Sequence, residues 1–280
     1  MESLLIGMLN DICGADIFNA IFETLTINLF SDEGKFSVAL NHARLLHENV
    51  IKPLAIMLMF IYFIIALVDK FSSDNFTWEQ LWRQLAMLLA AKILIEHGFE
   101  LMELLFGIGM TLASSIQEST GYFGDKSAEV ENAKEIINSF REGLGATGIF
   151  KTLADLVMVL FLIFPWLFSW IMRLCVSIIC YTRVIEIYIR ASFAPIALSD
   201  FFHSGLQGAG WRFIKSFLAV CLQGAMILVI AVIFSALIKQ ISADDQNLFT
   251  FIGTYIAFFA SAIMLMFKSL SLTKELIGVN

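Results

Sequence analysis

The chain has 280 residues, of which 59% are hydrophobic and 15% charged, whereas an ordinary soluble domain carries about 25% charged residues. That composition, with a mean hydropathy of +0.81, excludes a typical water-soluble enzyme and sends the apolar surplus into lipid. The net charge of -7 is uneven, since residues 1–159 hold 10 Lys and Arg against 20 Asp and Glu while residues 160–280 hold 8 against 5.

Residues 3–30 carry apolar side chains at helical spacing, with Asp11, Asp16, Asn19 and Glu23 on the other side. This predicts an amphipathic helix, and without Lys or Arg on its polar face it suits a partner helix or an outer surface better than an anionic inner leaflet. Met1-Glu2 opens the chain without a basic stretch, so no cleavable signal peptide is expected.

A helical span needs roughly 20 apolar residues. Leu54–Val68 is short, but Lys52, Asp69 and Lys70 reach the interface from its ends and Trp78 and Trp82 follow where an aromatic belt would lie. The next span is expected over Leu81–Ile116 as one helix with a polar stripe. Residues 117–151 then form an acidic loop with four bases and six acids, containing a short helix over Ser127–Glu142. Thr152–Ser199 is expected as a single long helix kinked at Pro165, because the sequence around Arg173 has no turn residue to make a hairpin. Thr152 and Asp155 have the spacing of a cap at its start. Ser216–Ile238 and Gln246–Phe267 are charge-free and bounded by Lys, with Gln240–Asn247 as the loop between them. The fold class is thus all-α, a polytopic integral membrane protein of five spans, with six as the alternative, plus the N-terminal amphipathic helix. Its regions are an external 1–50, two spans over 51–116, the external loop 117–151 and a C-terminal membrane region 152–280.

Lys and Arg near span ends set orientation. Residues 173–215 carry five bases against two acids, which puts them and the C-terminus inside and leaves the N-terminus and the 117–151 loop outside. The Asp69–Gln80 connection, with three acids to one base, then falls inside against the rule.

Recognised catalytic patterns do not occur. Gly143-Leu144-Gly145-Ala146-Thr147-Gly148 matches a dinucleotide fingerprint, but a dinucleotide site needs a preceding strand and a parallel sheet; helix-ending glycines explain it better. His42 and His47 are five apart, not the four of a zinc protease helix. Cys13, Cys175, Cys180 and Cys221 form no Cys-x-x-Cys pair. With no Walker A or Gly-x-Ser-x-Gly sequence, neither enzyme activity nor a metal or other cofactor is expected, and energy must come from a partner.

Ionisable groups at bilayer depth are costly and point to function. Lys92, Glu96, Glu100 and Glu103 recur at helical spacing on one face, as do Arg183, Glu186 and Arg190. Their opposite net charges invite pairing between two helices. Such pairs would fix helix register; alternatively one stripe lines a water-filled lumen or a subunit interface. Gly253, Ala257 and Ser261 recur at four-residue spacing, which permits close helix approach.

The long helix ends in Arg190-Ala191-Ser192-Phe193-Ala194-Pro195-Ile196-Ala197-Leu198. It continues through Phe201-Phe202 and Gly205, Gly208 and Gly210 to Trp211-Arg212, then enters two further spans. This pattern, over roughly residues 50–275, resembles the TrbL-like polytopic membrane component of conjugative type IV secretion systems, in the versions carried by mobile elements of Gram-positive bacteria. The resemblance implies a bacterial cytoplasmic-membrane subunit of a DNA and protein translocation channel. It would assemble as a homo-oligomeric ring in the bilayer with other channel subunits and separate ATPases. Pro195 and Trp211 would shape the connection that couples helices to partners. The family's external loop is associated with the transferred DNA, whereas here that loop is acidic and unsuited to phosphate; the basic 173–215 region is the better DNA candidate, though its bases also serve topology alone. A secondary transporter using the carboxylate stripe, or a non-conducting scaffold, are the alternatives. Transporters often show internal repeats, and none is found here.

Overall fold

The structure, a computed structural model, describes residues 2–12, 24–71, 78–120, 137–138, 150–200, 208–244 and 248–278. Helix α1 covers Glu2–Ile12 of the expected amphipathic segment; of the segment's other described residues, 24–25 are helical but 26–30 form bends and turns, so the helix does not run to residue 30. Helix α2 (Ser37–Leu46) passes through a π-helical turn at His47–Ile51 into α3 (Lys52–Phe71). Then come α4 (Trp78–Glu96), α5 (Gly98–Thr120), α6 (Phe150–Ser199), α7 (Ala209–Asp244) and α8 (Leu248–Ile277). No strand occurs among the described residues.

Five stretches are long and apolar enough to cross a membrane: Ser37–Val68, Gly98–Ser119, Asp155–Ser199, Ala209–Phe234 and Gly253–Ile277. The chain is therefore an all-helical, multi-pass membrane protein. The 50-residue α6 runs unbroken through Pro165 and Pro195, as expected from the absence of turn residues, and it removes the hairpin that a sixth span required.

Three boundaries differ from expectation. The single helix over Leu81–Ile116 is instead two, α4 and α5, separated at His97. Backbone bonds from His97 N–H to the Ile93 carbonyl (3.0 Å) and from Leu101 N–H to the His97 carbonyl (2.9 Å) keep the junction tight, and Gly98, a poor helix former, supplies the break. Helix α6 begins at Phe150, so Thr152 and Asp155 lie inside it and not at its cap. Helix α7 continues to Asp244, through most of the expected Gln240–Asn247 loop. The expected helix at Ser127–Glu142 falls outside the described residues except Ile137 and Asn138. The glycines at 143, 145 and 148, and Phe201, Phe202 and Gly205, also lie outside them.

The π turn has a local cause. Pro53 has no N–H, so the Asn49 carbonyl has no α-helical donor four residues on. Lys52 N–H bonds to the His47 carbonyl, five residues back, and the register shifts there. At the start of α7, the Ala209 N–H donates to Asp200 Oδ2 at 2.7 Å, a capping arrangement that places a negative charge at the positive end of the helix. Helix α8 closes at Gly278, whose φ of 70° is the left-handed conformation that glycine adopts without strain.

The chain forms two compact units. The first comprises Met1–Thr26, Ala113–Tyr181 and Ala225–Ser269; its core includes Met158, Leu162, Ile227, Ala231, Phe259 and Met266. The second comprises Ile27–Leu112, Thr182–Gly224 and Leu270–Asn280, around Leu40, Met59, Ile95, Met102, Phe106 and Phe217. Large apolar side chains such as Met57, Ile64, Leu160, Phe164 and Ile185 remain exposed, which suits helices whose solvent is hydrocarbon.

Candidate functional site: buried polar contacts between helices

The chemistry-bearing residues singled out in the sequence lie in the second unit, and those of α6 sit where it meets α7 and the 29–47 segment. Arg183, Glu186 and Arg190 do share one side of α6, and their partners are on α7 or on α6 itself. Arg183 is buried, 4% exposed. Its Nε donates to the Val220 carbonyl at 3.2 Å and its Nη2 to the Cys221 carbonyl at 3.1 Å. Room for the guanidinium exists because residue 224 is glycine: a Cβ there would stand 2.5 Å from Arg183 Cζ. Two turns further along α6, Arg190 bonds to Ser216 Oγ at 2.7 Å and pairs with Glu186. A cation taken out of water needs such acceptors, since an uncompensated buried charge is strongly destabilising.

The same α7 segment receives α5. An ideal Cβ on Gly109 would lie 2.6 Å from the Cys221 carbonyl oxygen, so only glycine allows the two backbones this approach. The Cys221 peptide is thus contacted from two sides, by Gly109 of α5 and Arg183 of α6.

A further polar tie, not anticipated from the sequence, joins one turn of α6 to the 29–47 segment. Tyr188 Oη donates to the Leu29 carbonyl at 2.6 Å, Ser192 Oγ to the Ala43 carbonyl at 3.1 Å, and His47 Nδ1 lies 3.3 Å from the Ala191 carbonyl. His47 also meets the Phe99 ring edge-on at 5.3 Å. Gly98 fits beside this turn, where a Cβ would be 3.2 Å from Leu198 Cδ1 and 3.6 Å from His47 Cε1. Pro53, which causes the π turn at His47, was the one sequence signal of this node.

Pro195 is buried within α6 near Gly98, so it belongs to the helix and not to the connection after it. Trp211 sits in the first turn of α7, with Lys215 Nζ 5.8 Å above its ring, a cation–π contact.

The acidic stripe is arranged differently. The break at His97 divides it, with Lys92 and Glu96 on α4 and Glu100 and Glu103 on α5. Lys92 pairs with Glu96 at 3.7 Å and His97 Nδ1 lies 2.9 Å from Glu100 Oε2, while Arg190 pairs with Glu186. These pairs run within each cluster, not between the two as their opposite charges invite. Lys92, Glu96, Glu100 and Glu103 are all exposed, and exposed pairs of this kind contribute little, on the order of 0.5 kcal/mol. Among the described residues no group of His, Cys, Asp and Glu is placed to hold a metal ion.

A family profile described as TrbL/VirB6 plasmid conjugal transfer like protein matches residues 35–195. No curated protein and no solved structure matches the chain.

Proposed function

Since the chain belongs to the TrbL/VirB6-like family of plasmid conjugal transfer proteins, we propose that it is a structural membrane subunit of a conjugative type IV secretion channel. In that role it contributes to moving DNA and protein across the bacterial cytoplasmic membrane. The observation that carries this reading is that the family match at 35–195 takes in both sides of the polar node, His47 and Ala43 on one and Tyr188 to Ser192 on the other. Five apolar helices supply the membrane body, and the absence of a recognised catalytic pattern in the sequence fits a subunit energised by separate ATPases.

The subunit works in a homo-oligomeric ring with other channel proteins, its N-terminus outside and its C-terminus in the cytoplasm, as the Lys and Arg distribution favours. Arg183, Glu186 and Arg190 fix the register of α6 on α7. Pro195 and Trp211 transmit that register toward the cytoplasmic end of the helices. Lys92, Glu96, Glu100 and Glu103 provide an exposed polar surface for water or a neighbouring subunit. A secondary transporter would need its carboxylates enclosed near the midplane, and the exposure of Glu96 and Glu100 does not favour that alternative.

Deleting the gene in a donor cell and measuring transfer of its conjugative element tests the proposal. Transfer should fall to background and return with a plasmid-borne copy; undiminished transfer would overturn it.

A further inference from the structure

One face of α6 stays apolar and exposed from Leu153, 65% accessible, to Phe193, 49%. Between them Leu167, Ile171, Leu174, Ile178, Tyr181 and Ile185 are 44–58% accessible, and steps of four and three alternate from each to the next. Leu160 and Phe164, more exposed still, begin the same alternation. The opposite side is covered by the protein itself: Leu162, Ser169, Val176 and Arg183 recur every seven residues and are all buried. None of the charged residues of α6 falls on the exposed row.

From Leu153 to Phe193 the row follows about 60 Å of helix at 1.5 Å per residue. Hydrocarbon is about 30 Å thick, so a helix tilted by the usual 20° crosses it in about 21 residues and one tilted by 40° in about 26. The row is about 40 residues long, and a third or more of it lies outside hydrocarbon at any usual tilt. There, large apolar side chains at half exposure call for a protein surface.

The spacing indicates what that surface is. Lipid chains impose no period, whereas the alternation of four and three is the 3.5-residue repeat of a left-handed helix pair, in which each apolar knob enters a hole of the facing helix. All copies of a membrane protein share one orientation, so two α6 helices lie parallel and each layer of their contact sets like beside like. Such a contact requires that no layer carry a charge, and none on this row does. The area suffices as well: some ten large side chains with about 100 Å² free on each give on the order of 1,000 Å², against roughly 800 Å² per partner in a standard stable interface.

We infer that the Leu160–Ile185 row of α6 is the contact by which copies of this chain pack on one another, row against row. The inference deepens the reading of the chain as a ring-forming subunit and rests on it for the presence of several copies.

The test uses the full-length chain in donor-cell membranes with Cys13, Cys175, Cys180 and Cys221 replaced by Ala. Single substitutions Ile171→Cys, Leu174→Cys, Ile178→Cys and Ile185→Cys sample the row, and Phe161→Cys and Trp166→Cys, at positions 43% and 39% accessible but off it, are the controls. Oxidation with copper phenanthroline should join the row variants into homodimers at least about fivefold faster than the controls, because a disulfide needs Cα atoms within about 7 Å. With all four native cysteines kept, a photoreactive benzoylphenylalanine at position 174 or 178 should give the same homodimers on illumination. Equal rates at row and control positions overturn the inference, as do adducts of the row with other proteins in place of homodimers. Cross-links are read whether or not the cells transfer DNA, so their failure is distinguishable from failure of the channel proposal.

Discussion

Replacing Gly109 by Ala puts a methyl where the structure has no space. The added Cβ would lie 2.6 Å from the Cys221 carbonyl oxygen, 2.9 Å from its carbonyl carbon and 3.2 Å from its Cβ. The obstruction is backbone of α7, so no rotamer change relieves it, and α5 and α7 must separate by several tenths of an ångström. Overpacking of this kind costs about 1–3 kcal/mol, and a clash with main chain belongs at the upper end. Alanine returns about 1 kcal/mol of helix propensity, leaving a net loss of about 2 kcal/mol, roughly a thirtyfold change in the folded-to-unfolded ratio. The control is Gly253→Ala, where nothing lies within 4 Å and the same propensity gain should make the change neutral or stabilising by about 1 kcal/mol. Equilibrium unfolding of both purified variants in mixed detergent–SDS micelles gives the comparison. Equal stability of the two, within about 0.5 kcal/mol, would refute the close α5–α7 approach and the account of Gly109 built on it.

Gly224→Ala should displace the Arg183 guanidinium from its two carbonyl acceptors and destabilise by about 2 kcal/mol net, hydrogen bonds to charged groups being worth about 1.5–3 kcal/mol each; in an Arg183→Ala background the same change should become harmless, and a double-mutant cycle in the same micelles reads that coupling. Tyr188→Phe removes the bond to the buried Leu29 carbonyl and should lower stability by about 1–2 kcal/mol without altering helix content, which circular dichroism and unfolding together check.

The five spans could be read from sequence because crossing lipid demands long apolar runs, and that demand is one-dimensional. The unbroken α6 followed from the absence of Gly, Pro, Asn and Asp around Arg173. The separation of α4 from α5 did not, because Gly98 on its own does not oblige a helix to stop. What favours glycine there is a neighbour one hundred positions away, Leu198, whose Cδ1 would stand 3.2 Å from an added Cβ. The shared face of Arg183, Glu186 and Arg190 was legible from spacing alone. Their acceptors were not, because main-chain carbonyls such as those of Val220 and Cys221 carry no signature in the sequence and become available only where Gly224 leaves the space. The acidic stripe was visible as a row, but its division between two helices depended on the break.

The hydrogen bonds from Tyr188 and Ser192 and the His47 contact join residues 159, 149 and 144 positions apart. A ribosome has therefore delivered the Leu29–His47 segment long before the turn of α6 that completes it exists. Chains that stop before α6 leave that part of the protein without its polar partners, which makes them natural substrates for membrane quality control. The early segment gains these polar partners only when the Tyr188–Ser192 turn of α6 is in place.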